Sequence, residues 1–285
     1  MTHEFSLAHL TTLSCTPPEL VDIAARAGYD YVSIRMTPVT AEEEHYQLVT
    51  DRKLMKETKA RLADTGILVL DVELIRLDPL TEPESCLGFL EAGAELGAKG
   101  VIAQLPDPDR KRATDRFARL CDLAAPFNLT INLEFPSWTQ TPDLKAAVDV
   151  LRAVDKDNAG VLVDTLHFDR SRSSLELLRQ LPGSWFNFIH LCDAPAKHPD
   201  SVEGVIHTAR ADRYYPGEGG IDIKQILDSV PTVPFSLEIP NDRRIKRYGR
   251  LEYARRALEA SRRFFADRDN CHNDQKSRIL MAVNQ

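Results

Sequence analysis

The chain has 285 residues, 43% of them hydrophobic, and a formal net charge of −7. No apolar run reaches the roughly 18 residues of a membrane-spanning helix, and no basic face is concentrated enough to neutralise a phosphate backbone, so neither a membrane nor a nucleic acid is expected as a partner. Five cysteines (Cys15, Cys86, Cys121, Cys192, Cys271) are scattered without a C-x-x-C pair, which argues against disulfides and a structural zinc site and for reduced thiols.

Taken in order, Met1-Thr-His-Glu-Phe5 offers no basic segment ahead of a long apolar run, so no secretory signal is expected and a cytoplasmic protein is the simplest reading. Phe5 to Leu10 reads as a first strand. Pro17-Pro18 open a helix with Leu20, Ile23, Ala24 and Ala27 on one face, and Gly28 ends it. Tyr31 to Ile34 is a strand with Arg35 at its exit, followed by Glu42-Glu43-Glu44, which reads as a solvated charge run. A helix over Asp51 to Asp64 stops before Gly66, and the apolar stretch from Ile67 suits a strand buried on both faces.

The alternation continues through a helix carrying Leu87, Leu90 and Ala94, a strand to Gln104, a helix over Arg110 to Ala125 and a strand to Glu134. Next come a helix over Pro142 to Val154, a strand to Asp164, a helix over Ser173 to Leu181, a strand to His190 and a long loop. Asp222 then caps a short helix, a strand ends at Glu238, and a final helix aligns Leu251, Ala254, Leu258, Ser261 and Phe265.

Eight strands alternating with eight helices, at roughly 36 residues per unit, predict an α/β fold closed as a (β/α)8 TIM barrel. An open doubly wound sheet is the alternative, but no G-x-G-x-x-G follows the first strand. The barrel is expected over residues 1–266. Residues 267–285 begin polar and end in Ile279-Leu-Met-Ala-Val283, a tail or a clasp onto a neighbouring subunit of a homo-oligomer.

In a barrel the strand C-termini converge on one face, so Glu134, Asp164, His190 and Glu238 would surround one point. Three carboxylates and an imidazole suit one divalent cation such as Mn²⁺, Mg²⁺ or Co²⁺, with Zn²⁺ also compatible. A lone strand-end carboxylate is more often a helix cap; four consecutive strands ending in ligand types are not readily explained that way. Trp138 could stack on a sugar ring, Arg213 or Arg210 could hold a substrate hydroxyl or carboxylate or be a solvated loop charge, and His9, Arg35, Glu73 and Gln104 could line the pocket or serve as buried hydrogen-bonding groups. Asp193 reads as structural and Cys192 as core. The run Gly217-Glu-Gly-Gly220 reads as a tight turn rather than a phosphate cradle, because of Glu218.

Glu134, Asp164-x-x-His167, His190-x-x-Asp193 and Glu238, in this order, resemble the xylose-isomerase-like barrels that include sugar phosphate isomerases and epimerases, ketose 3-epimerases and inosose dehydratases. The resemblance covers about residues 5 to 265. It implies that Glu134, Asp164, His190 and Glu238 bind one divalent metal, that Glu134 and Glu238 also carry protons, and that His167 orients substrate or polarises its oxygen; a hydrogen bond supporting the metal site is the other reading of His167. Two departures narrow the choice: dehydroshikimate dehydratases of this superfamily carry a His where Pro136 stands, and its apurinic endonucleases use many more His ligands than this chain supplies.

The chemistry expected is isomerisation or epimerisation of a small polyhydroxy ketone or sugar, because a chelated hydroxyketone has an acidified α-proton and a stabilised enediolate. Loss of a β-hydroxyl from the same species would make a lyase acting on a keto-sugar or keto-cyclitol. A catalytically idle ligand-binding barrel is the third reading.

Overall fold

The computed structural model describes residues 3–41 and 43–283, with 271–283 by backbone alone. Eight parallel strands close into a barrel in the order β1 to β8: Phe5–Ala8, Tyr31–Arg35, Leu68–Arg76, Gly100–Gln104, Thr130–Glu134, Ala159–Asp164, Ile189–Leu191 and Phe235–Leu237. The sequence expectation of a (β/α)8 barrel is met. Outside it pack α1 (Pro17–Ala27), α2 (Arg52–Thr65), α3 (Leu87–Glu95), α4 (Arg110–Ala124), α5 (Leu144–Val154), α6 (Thr165–Arg170), α7 (Leu175–Arg179), α8 (Val202–Ala211), α9 (Ile223–Leu227), α10 (Asp242–Tyr248) and α11 (Arg250–Val283).

Local chemistry sets the helix ends. Thr16 and Glu19 form a reciprocal capping box at α1, with proline in its first turn and Gly28 in the left-handed region beyond its end. Asp222 caps α9 as expected, accepting from Gln225 N. Three helices were not expected. α6 begins inside the Asp164-x-x-His167 motif, α8 lies in the stretch read as a long loop, and α10 follows the last strand. α8 buries only Thr208 and Ala209 and leaves Val202 exposed, so its apolar positions contribute little to the core.

The main core lies between sheet and helices, while Tyr31, Leu70, Leu74, Ile102, Leu162 and Phe188 form a second apolar cluster. Ser6, Ser33, Asp71 and Ser236 are also fully buried. The turn before α9 depends on close approach: a Cβ on Gly219 would lie 2.1 Å from Ala194 O, and Asp193 accepts from the amides of Ala194, Gly217, Gly219 and Ile221. Asp193 is thus structural, and the glycine run is a turn.

α11 continues without a break across the expected boundary at 266/267. Residues 284–285 and the side chains of Ile279 to Val283, on which the clasp reading rests, lie outside the described residues. Cys15, Cys86, Cys121 and Cys192 are free and buried; the Cys271 side chain is outside the description. No helix among the described residues is long and apolar enough to cross a membrane.

Candidate metal centre

β5 ends at Glu134 and β6 at Asp164, β7 carries His190, and Glu238 follows β8 directly. Asp164 pairs in register with His190, and His190 with Ser236, so adjacent strands deliver these side chains to one end of the barrel. One ligand atom from each of Glu134, Asp164, His190 and Glu238 lies within 4.8 Å of the others, and all four residues are buried. His190 Nδ1 is 3.4 Å from Glu238 Oε2 and 3.8 Å from Asp164 Oδ2, yet neither ring nitrogen makes a hydrogen bond. A buried imidazole with both nitrogens unpartnered, facing three carboxylates, fits a divalent ion.

Asp164 is a helix cap that leaves one oxygen turned toward the cluster, so the capping role does not compete with a ligand role. Its Oδ1 accepts from Leu166 N at 2.7 Å and His167 N at 3.1 Å, starting α6, while Oδ2 faces the cluster. Arg213 occupies the adjoining space. Its guanidinium lies 2.6 Å from Asp164 Oδ2 and 2.7 Å from Glu238 Oε2, and its Nε donates to Ala209 O at 2.7 Å.

Above the cluster is a cavity of about 210 Å³ whose lining includes Arg35, Trp138, His167 and Arg213 as well as Glu134 and Glu238. His167 Nε2 is 3.8 Å from Glu134 Oε1, and its ring meets Trp138 edge-on at 5.0 Å. Gln104 donates to Glu134 Oε2 at 2.5 Å, a contact finer than its expected role of lining the pocket. Arg35 is buried between Glu73 at 2.9 Å and Glu43 at 3.2 Å. The solvated reading of the acidic run is therefore wrong for Glu43, whose side chain is only 8% exposed: a buried guanidinium requires counter-charge. Glu42 lies outside the described residues. His9 bridges the backbone, with Nε2 2.8 Å from Cys15 O and Nδ1 accepting from Arg35 N, so it is a buried hydrogen-bonding group.

The model of the xylose isomerase-like TIM barrel family matches residues 21–265. The chain belongs to that family. Among relatives, an inosose isomerase of Bacillus subtilis is 28% identical over 159 residues, 52% of this chain and 55% of that protein. A 3-dehydroshikimate dehydratase of Pseudomonas aeruginosa is 27% identical over 255 residues, 81% of this chain but 37% of its own length. The chain thus spans about half the length of the isomerase relative it matches, and less of the dehydratase. Among solved structures, the IOLI protein with a binding zinc atom superposes with a TM-score of 0.74 at 22% identity, covering 93% of this chain and 97% of that one.

In this xylose isomerase-like barrel, burial shifts most of the charged groups. Burial and then the charge of Glu238 raise the Glu134 carboxyl above the ordinary range. Burial pushes Glu238 the same way, but Arg213 and His190 outweigh it and hold Glu238 low. Burial pulls His190 down, and Glu238 and Asp164 more than reverse this, so the imidazole carries a proton in the metal-free site. A metal must displace that proton. Calorimetric titration of Mn²⁺ in buffers of different ionisation enthalpy is expected to report release of between about one and two protons per ion near neutral pH, from His190 and in part from Glu134, with affinity rising as pH rises.

Asp71 on β3 is pushed up to about 7, first by burial, with His190 opposing and Glu73 adding. Its Oδ1 accepts from Ser33 Oγ at 2.5 Å while Oδ2 is buried without a partner. Because the folded-state value is raised, the native state holds the proton longer than the unfolded chain. Its ionisation therefore costs stability progressively from about pH 4 upward, fully above pH 7. Asp71→Asn in chelator-treated protein is expected to gain roughly 4 kcal/mol over wild type above pH 7 and nothing below pH 4, read from denaturant unfolding.

Proposed function

We propose that this protein is a divalent-metal-dependent isomerase or epimerase of a small polyhydroxy ketone or sugar. The observation that carries the reading is the pair Glu134 and Glu238, at the two ends of a four-strand arc of ligand-type residues and both lining the same cavity. A divalent ion held by Glu134, Asp164, His190 and Glu238 would supply Lewis acidity toward a carbonyl and its neighbouring hydroxyl; Mn²⁺, Mg²⁺ and Co²⁺ fit the oxygen-rich donor set, and Zn²⁺ is compatible.

The chain's own groups then handle the proton. Glu134 is oriented by Gln104 and has His167 beside it, and Glu238 is oriented by Arg213. One carboxylate removes the α-proton and the other returns one: return to the same carbon gives the epimer, and return to its neighbour gives the aldose–ketose isomer. Burial lowers His167 to about 4, so it is neutral and can offer an N–H to a substrate oxygen. Trp138, edge-on to His167, gives the sugar an apolar wall, and Arg35 is a further contact on the strand side.

A lyase acting on a keto-sugar or keto-cyclitol is the second reading, favoured by the match to a 3-dehydroshikimate dehydratase along 81% of the chain. Pro136, which stands where the resemblance places a histidine in such dehydratases, counts against that particular reaction. The test is incubation of metal-loaded protein with ketoses and keto-cyclitols in D₂O, followed by NMR. Deuterium at the carbon next to the carbonyl without loss of water supports isomerisation; an enone with loss of water supports the lyase; neither, with metal bound, refutes both.

A further inference from the structure

Four guanidinium groups line the cavity: Arg35, Arg76, Arg210 and Arg213. Two of them are neutralised from within the protein, Arg213 by Asp164 and Glu238 and Arg35 by Glu43 and Glu73. Arg76 and Arg210 make no ion pair or hydrogen bond with any described residue. Arg76 is the last residue of β3 and is exposed at the barrel rim; Arg210 lies in the last turn of α8 and is half-buried. Arg35, Arg76 and Arg210 line the same cavity; burial pulls Arg210 down, Glu43 partly offsets this, and the like charges of Arg35 and Arg76 add to the fall.

Two guanidinium forks that line one cavity without an ion-pair partner leave positive charge that Glu43 and Asp78 offset only in part. This geometry suits bidentate recognition of an anion, and in a cleft with low-dielectric walls the attraction exceeds that of a surface charge. The ligand cluster takes the opposite part: with its three carboxylates it is the place for a metal and neutral hydroxyl or carbonyl oxygens.

We propose that Arg76 and Arg210 form an anion subsite and that the substrate is an anionic polyhydroxy compound, whose carboxylate or phosphate these two arginines hold while its reacting carbons meet Glu134 and Glu238. The inference rests on the assignment of Glu134 and Glu238 to the reacting carbons, and it names the class of substrate that the site receives.

The experiment is a calorimetric titration of wild type, Arg76→Gln, Arg210→Gln and the double variant. Metal-loaded protein is titrated with D-glucose, D-glucuronate and D-glucose 6-phosphate, and chelator-treated protein with inorganic phosphate. Wild type is expected to bind at least one of the two anionic sugars about ten-fold or more tighter than glucose, an advantage that shrinks to about two-fold or less in the double variant. The tighter of the two identifies carboxylate or phosphate as the natural group. Because neither arginine has a partner to lose, the thermal midpoint of the double variant without ligand is expected to match that of wild type. Equal binding of all three sugars, an advantage that survives in the double variant, or binding of neither the sugars nor phosphate, overturns the proposal. Phosphate binding by metal-free wild type that disappears in the double variant supports the subsite even if no isotope exchange is found. Anion-blind sugar binding together with metal-dependent exchange leaves the isomerase reading standing and the subsite refuted.

Discussion

Glu134→Gln is expected to lose metal-dependent deuterium exchange into a ketose substrate by about 10³-fold or more, with the barrel still folded. The change is isosteric and removes the carboxylate's charge together with its ability to take up and release a proton. Glu134 sits at the end of β5 with Gln104 on one oxygen and His167 near the other, so its position is fixed by neighbours that do not themselves need its charge. Glu238→Gln is expected to abolish exchange as well, for the complementary transfer. Metal content is measured alongside, because each residue is also a candidate ligand. A variant that retains its ion but not its exchange identifies the proton carrier, whereas full exchange in either variant contradicts the assigned role.

Arg213→Met is expected to destabilise the metal-free protein by about 3–5 kcal/mol, since it strips the counter-charge from two buried carboxylates. Asp164 and Glu238 are 0% and 4% exposed at their side chains, with the guanidinium the nearest cation to both. His190 compensates only in part, at 3.8 Å and 3.4 Å from the same two groups. The check is denaturant unfolding of both proteins with chelator and then with saturating Mn²⁺. A divalent ion in the cluster supplies charge to the same carboxylates, so the gap between variant and wild type is expected to narrow with metal. Equal stability of the two proteins without metal would mean that the ion pairs carry no net weight.

The strands, and with them the barrel, were legible because parallel strands buried on both faces leave continuous apolar runs ending at a loop. Glu134, Asp164, His190 and Glu238 stood out for the same reason: each interrupts or ends such a run, and closure of the barrel brings them to one point. The roles of Arg35 and Glu43 were not legible. A run of three acidic residues looks like a solvated loop, and nothing local says that one of them folds onto a strand-end arginine. Arg76 also escaped notice, although it ends β3 as Gln104 ends β4, and the strand-exit rule would have found it. Helix α8, which carries Arg210, was readable from Val202, Val205, Ile206 and Ala209 at helical spacing behind the cap Ser201, but it is short and lies between two loops. Asp71 was hidden inside an apolar strand, and only the closed barrel, with Ser33 beside it, explains how a carboxyl is accommodated there.

The most direct test of the central claim is equilibrium binding of Mn²⁺ to chelator-treated wild type and to His190→Ala. With four ligands converging as they do, wild type is expected to bind one ion per chain and His190→Ala to bind it at least about 100-fold more weakly. No binding by wild type, or unchanged affinity in the variant, would contradict the assignment of Glu134, Asp164, His190 and Glu238 as a metal centre.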